Sequence, residues 1–205
     1  MGRPDRPREL ALSHGRRAIL AAVALIALAV VVHLGLLRST DRALLALVQS
    51  IARRELDVVG SVVTVLGSSE VTAGIAAGLV VARLRARRRD VWVPLAIAVV
   101  VIVEAALKVV VAQPLPPHDV QRDLEFFRGV VPSFAHSFPS GHVARDTFLL
   151  LIVHGWPRVA VAVALALVAV SRVYTGQHWP SDAVGGLLLG AAVAGLARAG
   201  AQAQT

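Results

Sequence analysis

Two short strings in this chain combine residue types that could move a phosphoryl group: Pro139-Ser140-Gly141-His142, and Ser171-Arg172 followed by His178 and Asp182. A phosphate ester resists attack at neutral pH because its anionic oxygens repel nucleophiles. Catalysis therefore needs cations and N–H donors around those oxygens, an in-line nucleophile, and a proton for the leaving oxygen. His178 is the candidate nucleophile, since a ring nitrogen can take phosphorus and divide one hard displacement into two. Asp182, one helical turn further on, can hold the other ring nitrogen, fix the tautomer and stabilise a positively charged ring. The alternative for this string is an interfacial His178 and Trp179, with Asp182 only capping the helix that Pro180 opens.

The first string has a matching logic. Ser140 and Gly141 precede a predicted helix, so their N–H groups and the Ser140 hydroxyl form an anion site, and Gly141 lets backbone approach closely. His142 beside them can give a proton to the departing alkoxide. As a tetrapeptide alone, Pro-Ser-Gly-His reads equally as a turn before a helix. Lys108, the only lysine among 21 basic residues, falls near the end of an apolar run, where an unpaired ammonium is costly and marks a site. Its alternative partner is Glu104, one turn earlier. Arg172 offers a planar fork for phosphate oxygens, or a side chain snorkelling at a helix end.

Apolar helices have to position these groups. The chain has 205 residues, 56% of them hydrophobic, and no cysteine, so disulfides and thiolate metal sites are excluded. The length suits one domain, and the apolar fraction exceeds the roughly half that soluble domains carry. The formal charge of +8 comes from arginines between apolar runs, a placement that fits lipid headgroups and topology rather than nucleic acid. Residues 1–18 read as a disordered, basic cytoplasmic tail and 200–205 as a C-terminal tail, bracketing a membrane domain over 19–199. Six spans are expected: Ile19 to Leu37, Glu70 to Leu84, Val91 to Ala112, His142 to Gly155, Val159 to Val173, and Asp182 to Leu196. A signal peptide is a poor fit to the first, which is too long and has no cleavage site after it. Between the first two, Thr40 is expected to cap an interfacial amphipathic helix from Asp41, with Leu44, Leu45, Val48 and Ile51 on its apolar face.

Counting basic residues in short loops puts the tail, residues 83–89, Arg158 and Arg198 on the cytoplasmic side. Residues 38–68, 113–141 and 172–181 then face outward, so both strings and the Lys108 end of the third span meet on one outer face of the cell membrane.

On these residues the chain resembles the type 2 phosphatidic acid phosphatase (PAP2) superfamily of membrane lipid phosphatases. Its second motif, Pro-Ser-Gly-His, matches at Pro139 to His142; its third, Ser-Arg-x5-His-x3-Asp, matches from Ser171 to Asp182. The resemblance implies an all-α membrane bundle and metal-independent dephosphorylation of a lipid phosphate, with no cofactor. It also implies His178 as nucleophile, His142 as general acid, and phosphate contacts from Lys108, Ser140, Gly141 and Arg172. The first motif, Lys-x6-Arg-Pro, is incomplete: Lys108 and Pro116 are present, but Leu115 stands where the arginine belongs. Arg145, on the helical face of His142, is the expected substitute, with Arg122 and Arg128 as further candidates. The expected activity is removal of phosphate from polyprenyl diphosphate, phosphatidate or phosphatidylglycerol phosphate. A phosphotransferase and a lipid-phosphate-binding protein without turnover are the alternatives.

Overall fold

The structure is a computed structural model of the full chain, and it describes residues 6–122, 124, 134–153, 155 and 157–204. Among the described residues, eight α-helices make up the bundle: α1 (Arg6–His33), α2 (Arg38–Gln49), α3 (Arg54–Leu66), α4 (Ser69–Arg85), α5 (Ile97–Val111), α6 (Gly141–Ile152), α7 (Arg158–Tyr174) and α8 (Pro180–Gln202). A 3-10 turn over Val93–Ala96 leads into α5. No strand occurs among the described residues, which hold only an isolated bridge between Pro114 and His136.

The centre of the molecule is the seam between α6 and α8. Val143, Ala144, Phe148 and Ile152 of α6 are wholly enclosed. They sit this deep because α8 presents glycines to them. A Cβ on Gly186 would stand 2.6 Å from the Ser140 carbonyl oxygen, and one on Gly190 would strike the Ala144 carbonyl. Small residues at four-residue spacing let two helices close to backbone contact. On another side of α8, α1 packs just as closely: a Cβ on Gly195 would lie 2.8 Å from that of Ala18. Apolar side chains that the bundle does not enclose form stripes along its outside, such as Val159, Val163, Leu167 and Val170 on α7. Extensive exposed apolar surface of this kind suits a lipid solvent.

By length and composition, three helical runs can cross a membrane: Glu9–His33, Val93–Val111 and Pro180–Gln202. Helices α3 and α4, bent by 44° at Gly67 and Ser68, meet the same measure only when taken together, as a broken span or a re-entrant loop. Helix α6, at 12 residues, and α7, at 17, fall short of the about 20 residues a crossing helix needs.

Several expectations about the ends and connections need correction. The basic N-terminal segment is helical from Arg6. Ala18 is buried against α8 and His14 Nδ1 lies 3.1 Å from Gln202 Oε1, while Arg16 and Arg17 stay on the exposed face. The C-terminal tail is likewise helical as far as Gln202. Residues 38–68 form two helices rather than one. Thr40 is not the cap of the first, because α2 starts at Arg38 behind Leu37. Asp41 instead turns inward: its carboxylate accepts from the Ser181 N–H (2.9 Å) and hydroxyl (2.7 Å) at the start of α8. Burying an anion on the first turn of another helix satisfies one of that helix's orphan N–H groups.

Candidate active site

Helices α6 and α8 begin at the same end of the bundle, and each brings its motif there. The chain leaves α7 through Thr175 and Gly176, which takes φ +69°. The N–H groups of Gln177 and His178 both turn back onto the Arg172 carbonyl, at 3.1 and 3.2 Å. Only glycine fits at 176, since a Cβ would strike the Val120 carbonyl. The turn delivers His178 with its Nδ1 3.3 Å from Asp182 Oδ2. That oxygen also accepts the Trp179 N–H at 2.8 Å, and Oδ1 accepts from the Ser137 hydroxyl at 3.3 Å. The two readings of Asp182 therefore coexist, because one carboxylate caps the helix and holds the imidazole. Trp179 is buried rather than interfacial and donates its indole N–H to the Pro114 carbonyl at 2.8 Å.

The second motif hangs from the third. The Ser140 N–H donates to the Asp182 carbonyl at 3.0 Å, so the expectation that this N–H meets an anion needs correction, and a cis bond joins Phe138 to Pro139. Phe138 fills the space beside Gly185. The Ser140 hydroxyl is buried and has no hydrogen-bond partner among the described residues. A buried orphan hydroxyl at a helix N-terminus is a ready acceptor-seeking group for an anion.

Lys108 is buried and donates to the carbonyls of His136 (3.1 Å) and Ser137 (3.3 Å), with Glu104 Oε1 at 3.8 Å and the Phe134 ring centroid at 5.2 Å. It thereby fastens the segment that leads into Pro139. Arg172 Nη1 donates to Thr64 Oγ1 at 3.2 Å. Arg145 is buried, with Nη1 2.9 Å from Glu104 Oε2 and Nη2 donating to the Gly67 carbonyl at 3.2 Å. Arg145 is thereby clamped between α5 and the α3–α4 bend. Its charge nevertheless acts, with those of Arg172 and Lys108, on both His142 and His178. His142 and Asp146 Oδ2 meet at Gly67, where a Cβ would lie 3.0 Å from His142 Cβ and 2.6 Å from that oxygen.

Of the other candidates, Arg122 is committed elsewhere, paired with Asp57 at 3.0 and 3.3 Å. Arg128 lies outside the described residues. Leu115 is 39% exposed. Sequence reasoning missed Asp41, Ser137, Thr64 and Gly67. Asp41 carried a signal, standing four residues before Leu45 on the buried stripe of α2; a hydroxyl such as Thr64 carried none.

Gly141 has a different constraint from Gly176. A Cβ there would collide with the Glu104 carboxylate, itself locked by Arg145 and Lys108. Gly141→Ala is expected to cost about 1–3 kcal/mol by overpacking. The loss is to be read as a lower thermal midpoint in detergent, with weaker inhibition by inorganic phosphate.

The helical arrangement has solved counterparts. A PAP2-type phosphatidylglycerolphosphate phosphatase from Bacillus subtilis superposes with a TM-score of 0.70 at 23% identity, covering 88% of this chain and 94% of that one. Aquifex aeolicus LpxE gives 0.58 at 24% identity, over 80% and 94%. At these identities the likeness is one of fold, that of a helical membrane bundle. Residues 89–205, more than half of the chain, match the PAP2 superfamily. The chain belongs to that superfamily. Among curated proteins it is similar to an undecaprenyl-diphosphatase of Sulfolobus acidocaldarius (41% identical over 59 residues, 27% of this chain). It is also similar to an Escherichia coli protein provisionally named undecaprenyl-diphosphatase YbjG (37% over 82 residues, 36% of this chain). The matched segments span 29% and 41% of those relatives' own lengths.

Proposed function

We propose that this chain is a membrane phosphatase that removes phosphate from a lipid phosphate or diphosphate through a phosphohistidine intermediate, without a metal ion. The observation that carries this reading is the meeting of the His178–Asp182 pair, the unpartnered Ser140 hydroxyl and the Lys108–Arg145–Arg172 cations at one end of the bundle. Asp182 occupies Nδ1 of His178, which leaves Nε2 to attack phosphorus. The P–O bond to the leaving oxygen, that of a lipid alkoxide from a monophosphate or of the lipid monophosphate from a diphosphate, breaks as the P–N bond forms, and His142 gives its proton to that oxygen. Water then attacks phosphorus, the P–N bond breaks, inorganic phosphate leaves, and the water proton returns to His142. Ser140, Gly141, Lys108, Arg172 and Arg145 balance the charge on the equatorial oxygens.

The basic residues near the other end of the helices support an outward-facing site at the outer membrane–water interface, with α6 and α7 completing six crossings. The names of the curated relatives favour a polyprenyl diphosphate among the substrates. Purified protein in detergent with EDTA is expected to release phosphate from at least one of polyprenyl diphosphate, phosphatidate and phosphatidylglycerol phosphate. Folded protein that releases none would overturn the reading in favour of a binding protein.

Arg145 offers a sharper test of how the chain manages with Leu115. Arg145→Ala removes a buried cation from Glu104 and the cluster, and is expected to lower kcat/KM by about one to two decades. Arg145→Lys is expected to recover part of it. Unchanged turnover and unchanged inhibition by vanadate in the alanine variant would take Arg145 out of the charge balance.

A further inference from the structure

At the end of the bundle away from the candidate active site lies a cavity of about 260 Å³ lined by Arg83, Arg88, Arg89, Arg198, Asp90 and Ile152, among others. Its distance from the motifs follows from the helices that connect the two. From Asp182 to Arg198, α8 covers about 24 Å at 1.5 Å per residue. Helix α6 likewise runs from Gly141 at the one site to Ile152 at the other.

Among the described residues, four arginines line this cavity against one carboxylate. Asp90 is already taken, bonded to Arg88 at 2.8 and 3.2 Å and 3.7 Å from Arg83. Arg83 and Arg198 are fixed in place because they cap the carbonyl end of α6: Arg83 Nη2 donates to the Ile152 carbonyl at 3.3 Å and Arg198 Nη1 to that of Leu151 at 2.8 Å. Arg83 Nη1 also donates to the Asp90 backbone carbonyl at 3.0 Å, and these bonds use two of the five donors of Arg83 and one of those of Arg198. The Nε of Arg198 is buried with no partner among the described residues. Topology signalling requires arginines only in the loops, exposed and dispersed. It does not account for two held by hydrogen bonds against a concavity.

We propose that this cavity is a second anion site, built to take a phosphate group, distinct from the one between α6 and α8. The shared chemistry is a phosphate mono- or diester oxygen cluster held by forked guanidinium donors. A glycerophospholipid headgroup fits the position, because α4 and α8 end here with apolar flanks, and basic pockets between spans take such headgroups. Free phosphate has the same donors to use. This site stands independently of the catalytic proposal.

The test uses the full-length protein in neutral detergent micelles carrying dioleoylphosphatidylglycerol or dioleoylphosphatidylcholine, with bound lipid counted by native mass spectrometry. The wild type is expected to retain the anionic lipid about tenfold over the zwitterionic one. R89Q/R198Q is expected to lose that preference while keeping its lipid-phosphate turnover. R85Q/R87Q removes the same charge from exposed positions that do not line the cavity, and is expected to keep it. Added millimolar inorganic phosphate divides the sources: displacement of the lipid assigns the site to phosphate from either, and no displacement assigns it to the headgroup. Should R89Q/R198Q fail to fold, R89Q alone, which breaks no capping bond, is read against R85Q. Equal retention of both lipids by the wild type, or equal losses in the cavity and control variants, overturns the proposal.

Discussion

His178→Ala is expected to abolish phosphate release, with a loss of at least about four decades in kcat, the scale on which removal of a nucleophile acts. No neighbour can replace it, because His142 is carried by a different helix and Asp182 is enclosed. The same ring yields a second readout. Burial first, then the charges of Arg172 and Lys108, holds the His178 imidazole well below its ordinary value. A nucleophile must be unprotonated, and a group whose pKa is depressed stays so as the pH falls through the usual histidine range. The acid limb of kcat/KM, corrected for the titration of the substrate, is therefore expected below pH 6.5. Acid-labile, alkali-stable radiolabel from a phosphate-labelled substrate is expected on the wild type and not on the variant. Full turnover in His178→Ala would remove the intermediate and the site with it.

His142→Ala is expected to lower kcat by about two to four decades on a lipid alcohol ester. With p-nitrophenyl phosphate the loss in kcat/KM, which reports phosphoenzyme formation alone, is expected to shrink to less than about tenfold, since a phenolate of low pKa leaves without a donated proton. That contrast separates a proton donor from a residue that merely fills space at Gly67, whose loss would slow both substrates alike. The radiolabel supplies a further distinction: phosphoenzyme still forms from the activated ester in His142→Ala, and is hydrolysed slowly.

The meeting of the candidate residues was legible because rare residue types stand out in a chain built of alanine, valine and leucine. A lone lysine and two histidine strings separated by hairpin lengths of apolar sequence suffice to place three polypeptide segments at one end. Span counting was less legible. Apolar length measures exposure to lipid, whereas α6 is enclosed by α8 on its glycine face, so its sequence could carry Arg145 and Asp146 and remain short. The clamp on Arg145 was unreadable for a related reason. Shared helical face with His142 says which way a side chain points, but not that Glu104 and the Gly67 carbonyl wait there. The α3–α4 bend that supplies the carbonyl is marked in the sequence only by Gly67, Ser68 and Ser69, residue types common to turns of every kind.

The amide of Ser140 resting on the backbone oxygen of Asp182 makes the candidate anion pocket and the proposed nucleophile's helix turn a single mechanical part. On the proposed mechanism, a shift of the Ser140 turn is carried through that bond to the start of α8, where Asp182 holds the ring. Recognition and attack then stay aligned even while the surrounding bilayer bends or thins, which a pocket assembled from two independent loops could not guarantee.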